Sequence, residues 1–95
     1  MSDAPKITVH IPGPLRQYCA GQPELAMSAA TVRGVLDDLE RDNPALHVNL
    51  RDETGAVRRH LNVFVNFDDV RNLQGLDTPL APGDVVTILT SVSGG

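Results

Sequence analysis

Between Lys6 and Ile11 polar and apolar residues alternate, and the apolar ones are β-branched. That period of two predicts a strand with Ile7, Val9 and Ile11 on its inner face. Pro12-Gly13-Pro14 ends it. Leu15 to Pro23 reads as a loop and Glu24 to Ser28 as a short second strand, so the two strands form a hairpin with a long connection. From Thr31 the period changes. Val32, Val35, Leu36 and Leu39 fall at i, i+3, i+4 and i+7, the apolar stripe of a helix, with Thr31 placed to cap its N-terminus. Gly34 lies inside this helix, where glycine costs about 1 kcal/mol relative to alanine. It reads as a flat spot that lets the helix approach the sheet. Asn43-Pro44 stops the helix.

The second half is strand-rich. Asp52-Glu53-Thr54-Gly55 is a turn. Leu61 to Asn66 is a strand with Leu61, Val63 and Val65 on one side and Phe64 on the other. Phe67-Asp68-Asp69 turns, and Val70 to Leu73 predicts a short strand. Next come a turn of 3₁₀ helix over Leu76 to Leu80 and a tight turn at Ala81-Pro82-Gly83-Asp84. Val85 to Leu89 is almost continuously apolar, which predicts a central strand covered on both faces. A single helix is available to cover the sheet. The economical arrangement pairs the first and last strands in parallel at the centre. The expected fold is therefore α+β: a β-grasp (ubiquitin-like) domain whose mixed four- to five-stranded sheet packs on one main helix. Residues 1–89 form that domain, and residues 90–95 form a flexible tail.

Composition narrows the function. The chain has 95 residues, 41% hydrophobic but only 3% aromatic, so the core is small and aliphatic. A net charge of −4 argues against a nucleic-acid partner, since phosphate binding needs a basic surface. Cys19 is the only cysteine, which excludes an intramolecular disulfide and fits a reducing compartment. Met1-Ser2-Asp3 begins no signal peptide and no apolar run is long enough to span a membrane, so the expected location is cytoplasmic. His10, His47 and His60 share no metal-ligand spacing, and Asp37-Asp38, adjacent on a helix, point in different directions. Cys19 reads as a passive thiol, Asp68-Asp69 as turn residues and Arg58-Arg59-His60 as a solvated strand entry that could also meet an acidic patch on a partner. No catalytic, metal or cofactor site is expected.

The sequence closes on Val92-Ser93-Gly94-Gly95. Glycine lacks Cβ, so such a pair can thread a slot too narrow for side chains and present an unhindered carboxylate. From Thr90 to Gly95 the tail can reach about 20 Å when extended. This suits a carboxylate that another enzyme must activate.

Together with Leu80-Ala81-Pro82-Gly83-Asp84-Val85-Val86-Thr87-Ile88, this ending resembles the MoaD/ThiS sulfur-carrier proteins, and most of all their CysO-type branch. Ile11-Pro12, Leu15-Arg16, Gly21-Gln22, Asn62-Val63, Val65-Asn66, Asp69-Val70-Arg71 and Gly75-Leu76 carry the same likeness. It runs from about residue 6 to residue 95 and is weak over Ala45 to Arg59. The resemblance implies a protein cosubstrate and not an enzyme. An E1-like enzyme of the MoeB/ThiF type, using ATP and Mg²⁺, would adenylate the Gly95 carboxylate. Sulfur from a rhodanese-like or persulfide protein would then displace AMP and leave a thiocarboxylate. A sulfur-accepting synthase would consume it in cysteine, cofactor or natural-product biosynthesis. Gly94, Ser93 and Val92 would line the activating enzyme's channel. The polar Ser91 and Ser93 depart from the family's usual tail. For the partner-binding surface the candidates are Phe64, on the sheet face away from the helix, with Leu15 and Arg16. Phe64 could equally seal a second small core. Two other functions fit the residues: a ubiquitin-like modifier joined to lysines through Gly95, and a plain interaction module whose terminal glycines are accidental.

Overall fold

The computed structural model describes residues 4–90. The expectations for Val92, Ser93, Gly94 and Gly95 lie outside them. Strand β1 (Lys6–His10) pairs antiparallel with β2 (Glu24–Ser28) on one side and parallel with β5 (Val85–Thr90) on the other. Strand β3 (Leu61–Val65) pairs antiparallel with β5 and with the two-residue β4 (Asp68–Asp69). The order across the sheet is β2-β1-β5-β3-β4. This is the β-grasp, ubiquitin-like architecture.

Helix α1 (Val32–Asp42) starts where expected. Thr31 is extended, and its hydroxyl oxygen accepts a hydrogen bond from the Gly34 backbone N–H at 3.1 Å. The apolar stripe Val32, Val35, Leu36 and Leu39 is buried against Ile7, Val9 and Ile11 of the first strand region, Leu61, Val63 and Val65 of β3, and Val86 and Ile88 of β5. Strand alternation thus delivers one face of each strand to a single aliphatic core.

Several local expectations change. Gly13–Cys19 is a 3₁₀ helix and not an irregular loop, and it tucks Leu15 and Cys19 into the core. The helix stop at Asn43 leads at once into a short second helix, α2 (Pro44–His47), which places Leu46 in the core. Val70–Asn72 forms a 3₁₀ turn in place of a strand, because Asp69 caps it by accepting from the Arg71 N–H. The second 3₁₀ turn is Gly75–Asp77, a residue upstream of the expected start. Strand β5 is central but, among the described residues, covered on one face only: Val86 and Ile88 are buried, whereas Leu89 is 46% exposed. The strand also extends through Thr90, the residue assigned to the head of the tail. The turn before it behaves as the residues require. Gly83 has φ of 86°, the left-handed conformation that a type II turn demands after Pro82, and the Asp84 N–H closes the turn on the Ala81 carbonyl at 3.0 Å.

Arg51 was not anticipated. It is 7% exposed yet charged. Its Nη2 donates to Asp37 at 2.9 Å and lies 3.6 Å from Glu40, while its Nε donates to His47 Nε2 at 2.8 Å. One guanidinium therefore ties α1 to the segment after α2. Arg51→Ala should lower the unfolding free energy by about 1–2 kcal/mol, less than for a fully buried pair because both carboxylates are half open to water. Chemical denaturation checks this, and an unchanged midpoint would contradict it.

Gly34 is not a point of close approach to the sheet. An added Cβ would meet Ala29 Cβ and Thr31 Oγ1, both at 3.5 Å, which is ordinary contact. Gly34→Ala should therefore raise stability by about 0.5–1 kcal/mol through helix propensity. A fall in the denaturation midpoint would show that Ala29 or Thr31 is displaced.

Candidate functional site

The parallel pairing of β1 with β5 decides where the carboxyl end of β5 lies. It lies at the same end of the sheet as Ile11, and at the Leu61 end of β3, since Thr90 pairs with Leu61. The sheet face opposite α1 has no helix on it among the described residues, and its side chains form rows across the strands. Register aligns Glu24, His10, Thr87, Phe64 and Asp69 in one row through all five strands. The next row towards the carboxyl end holds Leu89 opposite Asn62, and Arg71 Nη2 donates to Asn62 Oδ1 at 2.8 Å.

Phe64 and Leu89 are the large apolar residues of this face. Phe64 is half-buried and lies outside the core cluster and the residues packed on it. Leu89 is exposed. On one flank His10 Nε2 lies 3.2 Å from Glu24 Oε2. On the other, Arg71 Nη2 lies 2.7 Å from Asp69 Oδ2. The Arg71 side-chain hydrogen bonds hold the Asp69 carboxyl below its ordinary value, helped by the Arg71 N–H and its charge and opposed by burial. The apolar strip between these pairs has the form of a recognition surface, an apolar centre with a charged rim.

The three surface candidates separate. Phe64 is on the open face as expected. Leu15 is not available to a partner: it is 7% exposed because the 3₁₀ helix turns it inward, so it belongs to the core. Arg16, next to it, is exposed and donates its Nε to the Ile11 carbonyl at 3.0 Å, at the end of the sheet where β5 has its carboxyl end. Leu89 was missed. Its place in a nearly continuous apolar run hid the alternation that sends it outward.

Among the described residues no three His, Cys, Asp or Glu side chains come together to hold a metal ion. His10 pairs with Glu24, His47 accepts from Arg51, and the buried Cys19 thiol donates to the Gln22 carbonyl at 3.4 Å. No described helix is long and apolar enough to cross a membrane.

Comparison with known proteins agrees with this geometry. The sulfur carrier protein CysO of Mycobacterium tuberculosis is 41% identical over 91 residues, covering 94% of this chain and 98% of the relative. A chain in the crystal structure of the Amycolatopsis orientalis BexX/CysO complex superposes with a TM-score of 0.85 at 37% identity, covering 94% of this chain and 99% of that one. The solution structure of small archaeal modifier protein 1 from Methanosarcina acetivorans gives a TM-score of 0.83 at 33% identity, covering 99% of this chain and all (100%) of the other. The ThiS family model matches residues 9–95. With its β-grasp sheet, its open apolar face and this span of similarity, the chain belongs to the ThiS family.

Proposed function

We propose that this protein is a cytoplasmic sulfur carrier, a cosubstrate that other enzymes load and unload at Gly95. The observation that carries the reading is its 41% identity to a sulfur carrier over nearly the whole of both chains. The fold supports it. Strand β5 reaches its carboxyl end one residue past the Leu89–Asn62 pair, so an enzyme that grips the open face would hold the strand from which the terminal residues follow.

The chemistry would proceed in two displacements. A Gly95 carboxylate oxygen attacks the α-phosphorus of ATP, with Mg²⁺ supplied by the activating enzyme, and pyrophosphate leaves. The acyl adenylate then has AMP as a good leaving group. Hydrosulfide attacks the Gly95 carbonyl carbon, AMP departs, and the thiocarboxylic acid loses its proton. The outer sulfur of a persulfide donor would attack in the same way and give an acyl disulfide; a thiol would then cleave its S–S bond, forming a disulfide with the donor's cysteine and freeing the thiocarboxylate. Gly94, Ser93 and Val92 would occupy the channel of an E1-like enzyme of the MoeB/ThiF type. A sulfur-accepting synthase, making cysteine, a cofactor or a natural product, would use the thiocarboxylate. Phe64 and Leu89 would be the apolar anchors for these partners, with Arg16 at the rim.

A modifier function is the second reading. It is favoured by the likeness to the archaeal modifier protein, and it shares the adenylation step. The acyl acceptor separates the two: sulfur in the first, a lysine amine in the second.

Adenylation is tested by ATP–pyrophosphate exchange with an E1-like enzyme. Exchange should depend on the full chain, and deletion of Gly94-Gly95 should abolish it without altering the circular dichroism spectrum. Equal exchange with the truncated chain would reduce the protein to an interaction module.

The docking face is tested with Leu89→Ser and Phe64→Ser. Each should raise the activating enzyme's KM about tenfold while leaving kcat nearly unchanged, the signature of lost binding that is uniform along the reaction. Unchanged KM values would place the docking surface elsewhere.

A further inference from the structure

Strand β4 is too short to cover β3. It pairs with Phe64 and Val65 only, so Leu61, Asn62 and Val63 have a strand neighbour on the β5 side alone among the described residues. Beside this stretch lies a groove of about 330 Å³. Its floor is apolar, formed by Val57, Leu61, Val63 and Leu76, and Arg59 and Arg71 stand on its rim.

The charge of this rim runs against that of the chain. The whole protein carries −4. Three arginines line the groove, Arg58, Arg59 and Arg71, against one carboxylate, Asp69, which leaves two positive charges. Arg71 is committed to Asp69 and Asn62, and Arg58 donates its Nε to the Val48 carbonyl at 2.9 Å. Arg59 is exposed and makes no hydrogen bond or ion pair among the described residues. A cation held at the lip of an apolar groove is complementary to a ligand that is apolar on one side and acidic on the other.

We infer that this groove is a second docking site, which takes an extended segment of a partner protein in which apolar and acidic residues alternate. The period of a strand makes the fit. A segment lying along Leu61–Val63 sends every second side chain onto the floor and carries its carboxylates past Arg59 and Arg71. An edge with a strand on one side only is the place where such a segment can be added. The groove adjoins the Phe64–Leu89 strip and shares Asn62, Asp69 and Arg71 with its rim, but its floor and Arg59 are its own, and the inference stands without the sulfur-carrier reading.

The test is an amide ¹H–¹⁵N titration of the full chain. The probe is a synthetic peptide in which valine alternates with glutamate. A peptide with lysine in place of glutamate serves as the control. Shifts should appear at residues 56–63 and 69–76 and be absent from α1. Arg59→Glu should weaken binding about tenfold and Arg59→Lys should retain most of it. Raising the ionic strength should also weaken binding. Arg59 has no partner to lose among the described residues, so a failed fold does not confuse the result. Three outcomes overturn the inference: no shifts with the acidic peptide at about 1 mM, equal shifts with the lysine peptide, or an Arg59→Glu variant that binds as tightly as the wild type.

Discussion

The parallel contact between β1 and β5 is the constraint on which the rest of the structure depends. Two strands from opposite ends of the sequence meet at the centre of the sheet, with Thr8, Val9 and His10 opposite Val85, Val86 and Thr87. Parallel neighbours cannot be joined by a tight turn. The chain between them must therefore leave the sheet, cross it as α1, and return through β3 and β4. That detour covers one face and leaves the other open. It also sends the carboxyl end of β5 out between β1 and β3, beside the open face. Packing and presentation are thus two consequences of one pairing.

The small aliphatic core explains how little is needed to hold this arrangement. Burial is shared among Val, Leu and Ile side chains from β1, β3 and β5 and from both helices, with Leu25 and Met27 of β2 packed partly buried against them. Each fully buried side chain of that size contributes on the order of 1.5–3 kcal/mol. The long connection between α1 and β3 is fastened by Leu46 and Leu50 in the core and by Arg51 across to Asp37.

Where the hydrophobic period was long, the sequence was legible. The alternation at Ile7, Val9 and Ile11 and at Leu61, Val63 and Val65, and the helical stripe from Val32 to Leu39, each mark a buried face. Thr31 was readable as a cap because its side-chain chemistry is local. The errors fall where a residue's fate depends on distant partners. Leu15 lies between Pro12-Gly13-Pro14, which read as a strand stop, and the polar Arg16-Gln17, so the local pattern does not show that a 3₁₀ helix turns it inward. Val70 to Leu73 has strand-like composition, but the Asp69 cap curls it into a 3₁₀ turn. In Val85 to Leu89 the apolar run conceals that one face carries no helix among the described residues, which hid the outward turn of Leu89. Arg51 looks like any surface arginine until Asp37 and His47 are brought to it. The groove beside β3 exists because β4 stops after two residues, a length that no composition signals.

Sulfur on the terminal glycine is detected by intact mass measurement of the protein isolated from its native host, with tandem fragmentation of the carboxyl-terminal peptide. A sulfur carrier should show a population in which one oxygen of Gly95 is replaced by sulfur. Gly95 found only as an isopeptide on lysines of other proteins would contradict that role and establish the modifier function instead.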